Sequence, residues 1–161
     1  MLGHPSNSML KQAEQGIESK VPEQLKGAFS KVVTAGLTIL YSPQMEQMRT
    51  QRMGQVQDPA KEAGQGAARM LSNLYEQSKK TMPVEVMVPA AMIFAFEFLD
   101  LLAQAGKAEI TPDLIDKTTQ SVGDAVLPMF GVTPDKLQKM IAESQAKKPS
   151  GIIAGAQQGG M

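Results

Sequence analysis

Residues 84–102, VEVMVPAAMIFAFEFLDLL, are the most apolar stretch of the chain, and any fold must find cover for them. A bilayer span needs roughly 20 mainly apolar residues. The uncharged run at 86–96 is shorter, contains Pro89 and is followed by Glu97 and Asp100. Glu97, Asp100 and Gln104 recur at i, i+3 and i+7, so the second half of a helix here carries one polar stripe. Met92, Ile93, Phe96, Leu99 and Leu102 occupy the other sides, and Phe94, Phe98 and Leu101 widen the apolar arc. The spacing predicts a buried helix near 84–105 rather than a permanent anchor. Pro89 either kinks it or leaves 84–88 as an extended lead-in. Those eight apolar residues are the expected contacts with neighbouring subunits or with a membrane. Glu97, Asp100 and Gln104 are the expected polar face, turned to a lumen or to neighbouring helices.

The rest of the chain is punctuated by helix starts. Pro suits the first helical position, where its missing N–H is not needed, and Ser, Thr or Asp suits the preceding cap. That pair occurs at Ser42-Pro43, Asp58-Pro59, Thr111-Pro112 and Thr133-Pro134, the last two within the echo ITPDLIDK and VTPDKLQK. Two copies are too few for a solenoid, so the echo reads as one cap chemistry used twice. Gly106 and Gly131 stand where the preceding helices should stop. Helices are expected near 8–19, 22–40, 43–54, 59–80, 84–105, 112–127 and 134–146. In the second, Leu25, Phe29, Val32, Val33 and Leu37 share a face, and in the fourth Met70, Leu71 and Leu74 supply the larger contacts. Ala60, Gly64 and Ala68 form a small-residue seam where another helix can approach closely. No alternating run is long enough for a sheet. The expected fold is all-α, with short Pro-capped helices around one long apolar helix, completed by packing between subunits. The expected domain covers 1–148 with a mobile start at 1–7, and 149–161 is a Gly/Ala/Gln-rich tail that could dock on a neighbour through Ile152 and Ile153.

Composition narrows the function. Five Phe, two Tyr and no Trp leave the core to aliphatic residues and twelve Met, which fill irregular gaps but pack softly. With no Cys, disulfides and Cys-based metal sites are excluded, and with His4 as the single histidine, in a polar, Pro-containing N-terminus, neither a His-based metal cluster nor a Ser-His-Asp relay within one subunit is expected. The N-terminal MLGHPSNS lacks the basic, apolar and small-residue progression of a signal peptide, so synthesis in the cytosol is expected. Residues 83–135 carry eight acids against two lysines, and residues 136–161 carry four lysines against one glutamate. Only Arg49, Arg52 and Arg69 are arginines, too few for a sequence-specific duplex reader, although non-specific backbone contact by a multimer stays open. Glu97/Asp100 and Asp113/Asp116 read as solvated faces rather than a hydrolytic pair. Gly64 and Gly66 match no phosphate-loop pattern. The Gln/Met-rich segment Gln44, Met45, Gln47, Met48, Gln51, Arg52 and Met53 reads as a subunit-contact surface. No catalytic, cofactor-binding or metal-ligating residue is identified, so no enzymatic activity and no cofactor is expected.

A small helical chain without Cys or Trp, rich in Ala, Gln, Met and Gly and ending AGAQQGGM, is similar in style to the internal or ejection proteins of short-tailed bacteriophages. That resemblance is one of composition over the whole chain and carries no functional residue with it. It implies a structural virion protein, made in the bacterial cytoplasm and packaged near the portal. Such a protein would act as a homo-oligomer, meet the portal or larger ejection proteins, and help form a conduit for DNA across the host envelope. A head-to-tail adaptor, another ring-forming assembly protein or a small terminase subunit would also be α-helical and of similar size. A cellular adaptor or secretion-associated protein is the reading outside the virion.

Overall fold

The computed structural model describes residues 7–130, and among them the regular structure is helical with no strand. The elements are α1 (Ser8–Lys20), a 3-10 turn at Glu23–Leu25, α2 (Lys26–Leu40), α3 (Pro43–Met53), α4 (Pro59–Gln77), α5 (Val84–Gln104), α6 (Pro112–Val126) and a 3-10 turn at Leu127–Phe130. The chain separates after Val126 into two units, and the six helices form the first. The helix expected near 134–146, the Thr133-Pro134 start, the Gly131 stop, the boundary at 148 and the tail at 149–161 lie outside the described residues, as does most of the start at 1–7.

Of the three expected caps within the described residues, Asp58 and Thr111 form and Ser42 does not; α2 and α5 also start without a side-chain cap. The Asp58 carboxylate accepts from the Lys61 amide at 3.2 Å, and the Thr111 hydroxyl accepts from the Leu114 amide at 3.0 Å. Ser42 behaves differently: its hydroxyl donates back to the Ile39 carbonyl at 2.8 Å, so it closes α2 and leaves Pro43 alone to open α3. Asn7, not anticipated as a cap, accepts from the Met9 and Leu10 amides at 2.9 and 3.2 Å and opens α1.

α5 is the centre, packed by α1, α2, α4 and α6. The expectation of an extended lead-in at 84–88 is corrected: α5 begins at Val84 and takes Pro89 inside it. Pro89 cannot donate to the carbonyl four residues back, which is that of Glu85, an exposed residue near the helix start. Meanwhile the turn before it buries Val86 and Met87 completely. Burying side chains of that size is worth about 1.5–3 kcal/mol each, enough to offset one lost hydrogen bond of about 1 kcal/mol.

Glycines set how closely neighbours approach. A Cβ on Gly36 of α2 would fall 2.2 Å from the Phe94 ring, and one on Gly64 of α4 would fall 2.8 Å from the backbone carbonyl carbon of Ser121 in α6. Ala60, Gly64 and Ala68 are all buried, and Ala63 and Ala67 beside them are too, so the seam is wider than its four-residue spacing suggested. α5 ends as expected at Gly106 (φ +74°), where the Lys107 amide reaches the Leu102 carbonyl and the Gly106 amide reaches that of Ala103. α4 stops at Gln77 rather than near 80, because Lys79 and Lys80 both turn left-handed, with φ of 58° and 62°. The Lys80 amide bonds the Tyr75 carbonyl across that turn.

Gly64→Ala should lower the free energy of unfolding by about 1–3 kcal/mol, the usual cost of overpacking against atoms that cannot move aside. Gly16→Ala, on an exposed helical position with nothing within 4 Å of the new methyl, should raise it by roughly 0.5–1 kcal/mol. Urea unfolding of the two variants beside the parent chain measures both signs, and equal effects would contradict the tight α4–α6 contact.

Candidate functional site

The polar stripe of α5 is a site inside the bundle. Glu97 and Asp100 were expected on a solvated face, and the structure corrects this: they are 1% and 3% exposed. Asp113 and Asp116 of α6 are exposed, as expected. The difference lies in what covers each helix, since α1 and α2 close over this stripe of α5 whereas α6 turns Asp113 and Asp116 to solvent.

Two helices, α1 and α2, close over the stripe. Tyr41 ends α2, and its hydroxyl donates to Glu97 Oε1 at 2.7 Å. The Asn7 amide at the start of α1 donates to Asp100 Oδ1 at 3.3 Å, which sets a carboxylate at the positive end of that helix. Gln104, on the exposed side of the last turn, sends its amide to Asp100 Oδ2 at 2.6 Å. From α1 comes Glu14, 4% exposed, which faces Glu97.

No ion pair among the described residues involves Glu14 or Glu97. Two ionised carboxylates side by side in such surroundings would each forgo hydration and repel the other, so one must stay neutral. Glu14 is that one. Burial first, then its hydrogen bond to Glu97 and the charges of Glu97, Glu18 and Asp100, push its pKa from 4.5 to about 11. Oε2 of Glu14 and Oε2 of Glu97 receive no hydrogen bond from an N–H or hydroxyl, so the acid proton of Glu14 is what the pair shares. Burial and the adjacent Glu97 also push the Tyr41 phenol upward, which keeps it a donor throughout the working pH range.

The arrangement is a proton-linked clasp between α1 and α5. Glu14, Glu97, Asp100 and Tyr41 line neither the surface cavity at Asp58 and Lys117 nor the one at Met45 and Met48. Among the described residues no group of three or more His, Cys, Asp or Glu side chains is placed to hold a metal ion. Of the eight apolar residues expected to contact other subunits or lipid, Ile93, Phe94, Phe96, Leu99 and Leu102 are buried within this chain, and Met92, Phe98 and Leu101 are half-buried. Asn7, Glu14 and Tyr41 were not anticipated as partners of the stripe. For Glu14 a signal existed, because Leu10, Glu14 and Ile17 share one face of α1.

The clasp fixes the direction of a pH effect. Between 4.5 and about 11 the folded chain holds a proton on Glu14 that the unfolded chain has released, so stability falls as pH rises through that window. The thermal midpoint should therefore fall from pH 5 to pH 9, and Glu14→Gln, a permanently neutral replacement, should flatten that slope. A Glu14→Gln variant as pH-sensitive as the parent would show that the proton sits elsewhere.

Comparison with protein-family models, with curated proteins and with solved structures finds no match to this chain.

Proposed function

We propose that the chain is a non-enzymatic structural virion protein, packaged with the genome, whose α5 leaves the bundle to help line a conduit across the host envelope. The observation that carries this reading is α5 itself. It is the one helix among the described residues long and apolar enough to cross a membrane, and beyond Glu85 in its first turn its acids, Glu97 and Asp100, share a single stripe. Spanning lipid, it would have to turn Glu97 and Asp100 to a lumen or to neighbouring copies, since charge facing lipid is costly. In the packed chain those acids are closed off by α1, which is lightly held. Leu10 and Glu14 are the buried residues of that helix, and Glu14 brings a desolvation cost with it. Lifting α1 uncovers the stripe first, ahead of the apolar faces held by α2, α4 and α6. Other copies of the chain, the portal or larger ejection proteins would be its partners, with DNA contact limited to the backbone.

One observation favours a second reading. Two-thirds of the most apolar window of α5 is already covered within this chain. An assembly protein that keeps α5 as its core, such as a head-to-tail adaptor or another ring-former, would need no membrane step.

Dye release from phosphatidylglycerol/phosphatidylethanolamine vesicles separates the two. Leu10→Asp removes a fully buried anchor worth about 1.5 kcal/mol, so it should raise leakage roughly tenfold over the parent chain. Glu97→Leu/Asp100→Leu should bind vesicles yet release little dye. Vesicles left intact by all three proteins, with light scattering showing rings of fixed size, would establish the assembly reading instead.

A further inference from the structure

We propose that the groove beneath α3, which exists while α5 is packed in the bundle, is a binding site for a single-chain aliphatic carboxylate. The groove encloses about 310 Å³, within the range of roughly 300–1,000 Å³ typical of small-molecule sites. Its walls are apolar: Ile39 and Leu40 from the end of α2, Met45 and Met48 from α3, Met70 from α4, and Phe94 and Phe98 from α5. The α4 wall is low because Gly66 and Ala67 stand there, so the helices that meet at this point leave a trough.

α3 explains why the trough stays open. None of its described side chains is buried, so it lies off the core as an arm along the groove. Its inner side presents methionines, whose flexible thioethers adapt to ligands of differing length. The Gln/Met-rich segment, expected as a subunit-contact surface, supplies Met45, Met48 and Arg52 to this cavity.

The mouth decides the head group. Arg52 and Arg69 both line it and both reach Glu62 Oε2, Arg52 through Nε at 2.8 Å and Arg69 through Nη2 at 3.8 Å. One carboxylate thus serves two guanidinium groups, whose side chains are 46% and 54% exposed. No acidic side chain lines the cavity. The mouth carries one positive charge in excess, with spare N–H donors in the fork geometry that suits a carboxylate. Asn73, beside them, adds a neutral polar group. An apolar trough with a monocationic mouth complements a fatty-acid-like anion. A cationic or neutral chain of equal length would gain the trough and forgo the mouth.

The test uses the full chain labelled at its methionine methyl groups, titrated with dodecanoate below its micellar concentration. Met45, Met48 and Met70 signals should shift and saturate, while Met9 and Met82 stay still. Dodecyltrimethylammonium and dodecanol should bind at least tenfold more weakly. Arg69→Gln should weaken dodecanoate by about fivefold to tenfold without changing dodecanol. Gly66→Met fills the trough from a helical position where losing glycine favours the fold, so it should abolish binding in a chain at least as stable as the parent. Absence of saturable shifts, equal affinity for the cationic amphiphile, or retention of dodecanoate by Gly66→Met would each overturn the proposal. So would Met45 and Met48 shifts that follow protein concentration alone, because the occupant would then be a second copy of this chain.

Discussion

A single shared proton lets a helix as apolar as α5 carry two acids into the middle of a bundle. If Glu14 were ionised, the space between α1 and α5 would hold two unpaired negative charges, and α1 would be driven off. Kept neutral, Glu14 turns repulsion into a hydrogen bond, and Tyr41 takes up a further lone pair of Glu97. The placement of α1, the ending of α2 at Tyr41 and the seating of the Asn7 amide on Asp100 all follow from satisfying that stripe.

Around this polar seam the packing depends on absent side chains. Gly36 gives the Phe94 ring its seat, and Gly64 lets α4 settle onto the backbone of α6. With few aromatic residues available, close approach of backbones provides much of the contact that ring area provides elsewhere. The soft methionines then collect where geometry is least determined, along α3 and the groove it borders.

The helical fold was legible because its signals are local. Pro at the first turn, Asp58 or Thr111 before it and Gly106 after the last turn each act within four residues of where they stand. The candidate site was legible only in half. Spacing alone placed Glu97, Asp100 and Gln104 on one stripe. What covers them comes from Tyr41 and Asn7, separated from their partners by 56 and 93 residues, and periodicity carries no information about such pairings. An acidic stripe usually means water, and here that general tendency yields to enclosure by α1. The end of α4 was misjudged for a related reason: lysines rarely adopt positive φ, so nothing in the residues at 79 and 80 announces a left-handed turn.

That turn has a mechanical meaning. Two successive lysines hold a conformation that disfavours L-residues by about 1–2 kcal/mol each, and they do so at the junction leading into α5. The adjoining helices keep the backbone wound there, as a catch holds a spring. The Lys80 amide, bonded to the Tyr75 carbonyl, holds the turn closed, so the cost stays inside the folded chain and returns only when this connection unwinds. A glycine pair at 79 and 80 would follow the same path without that cost.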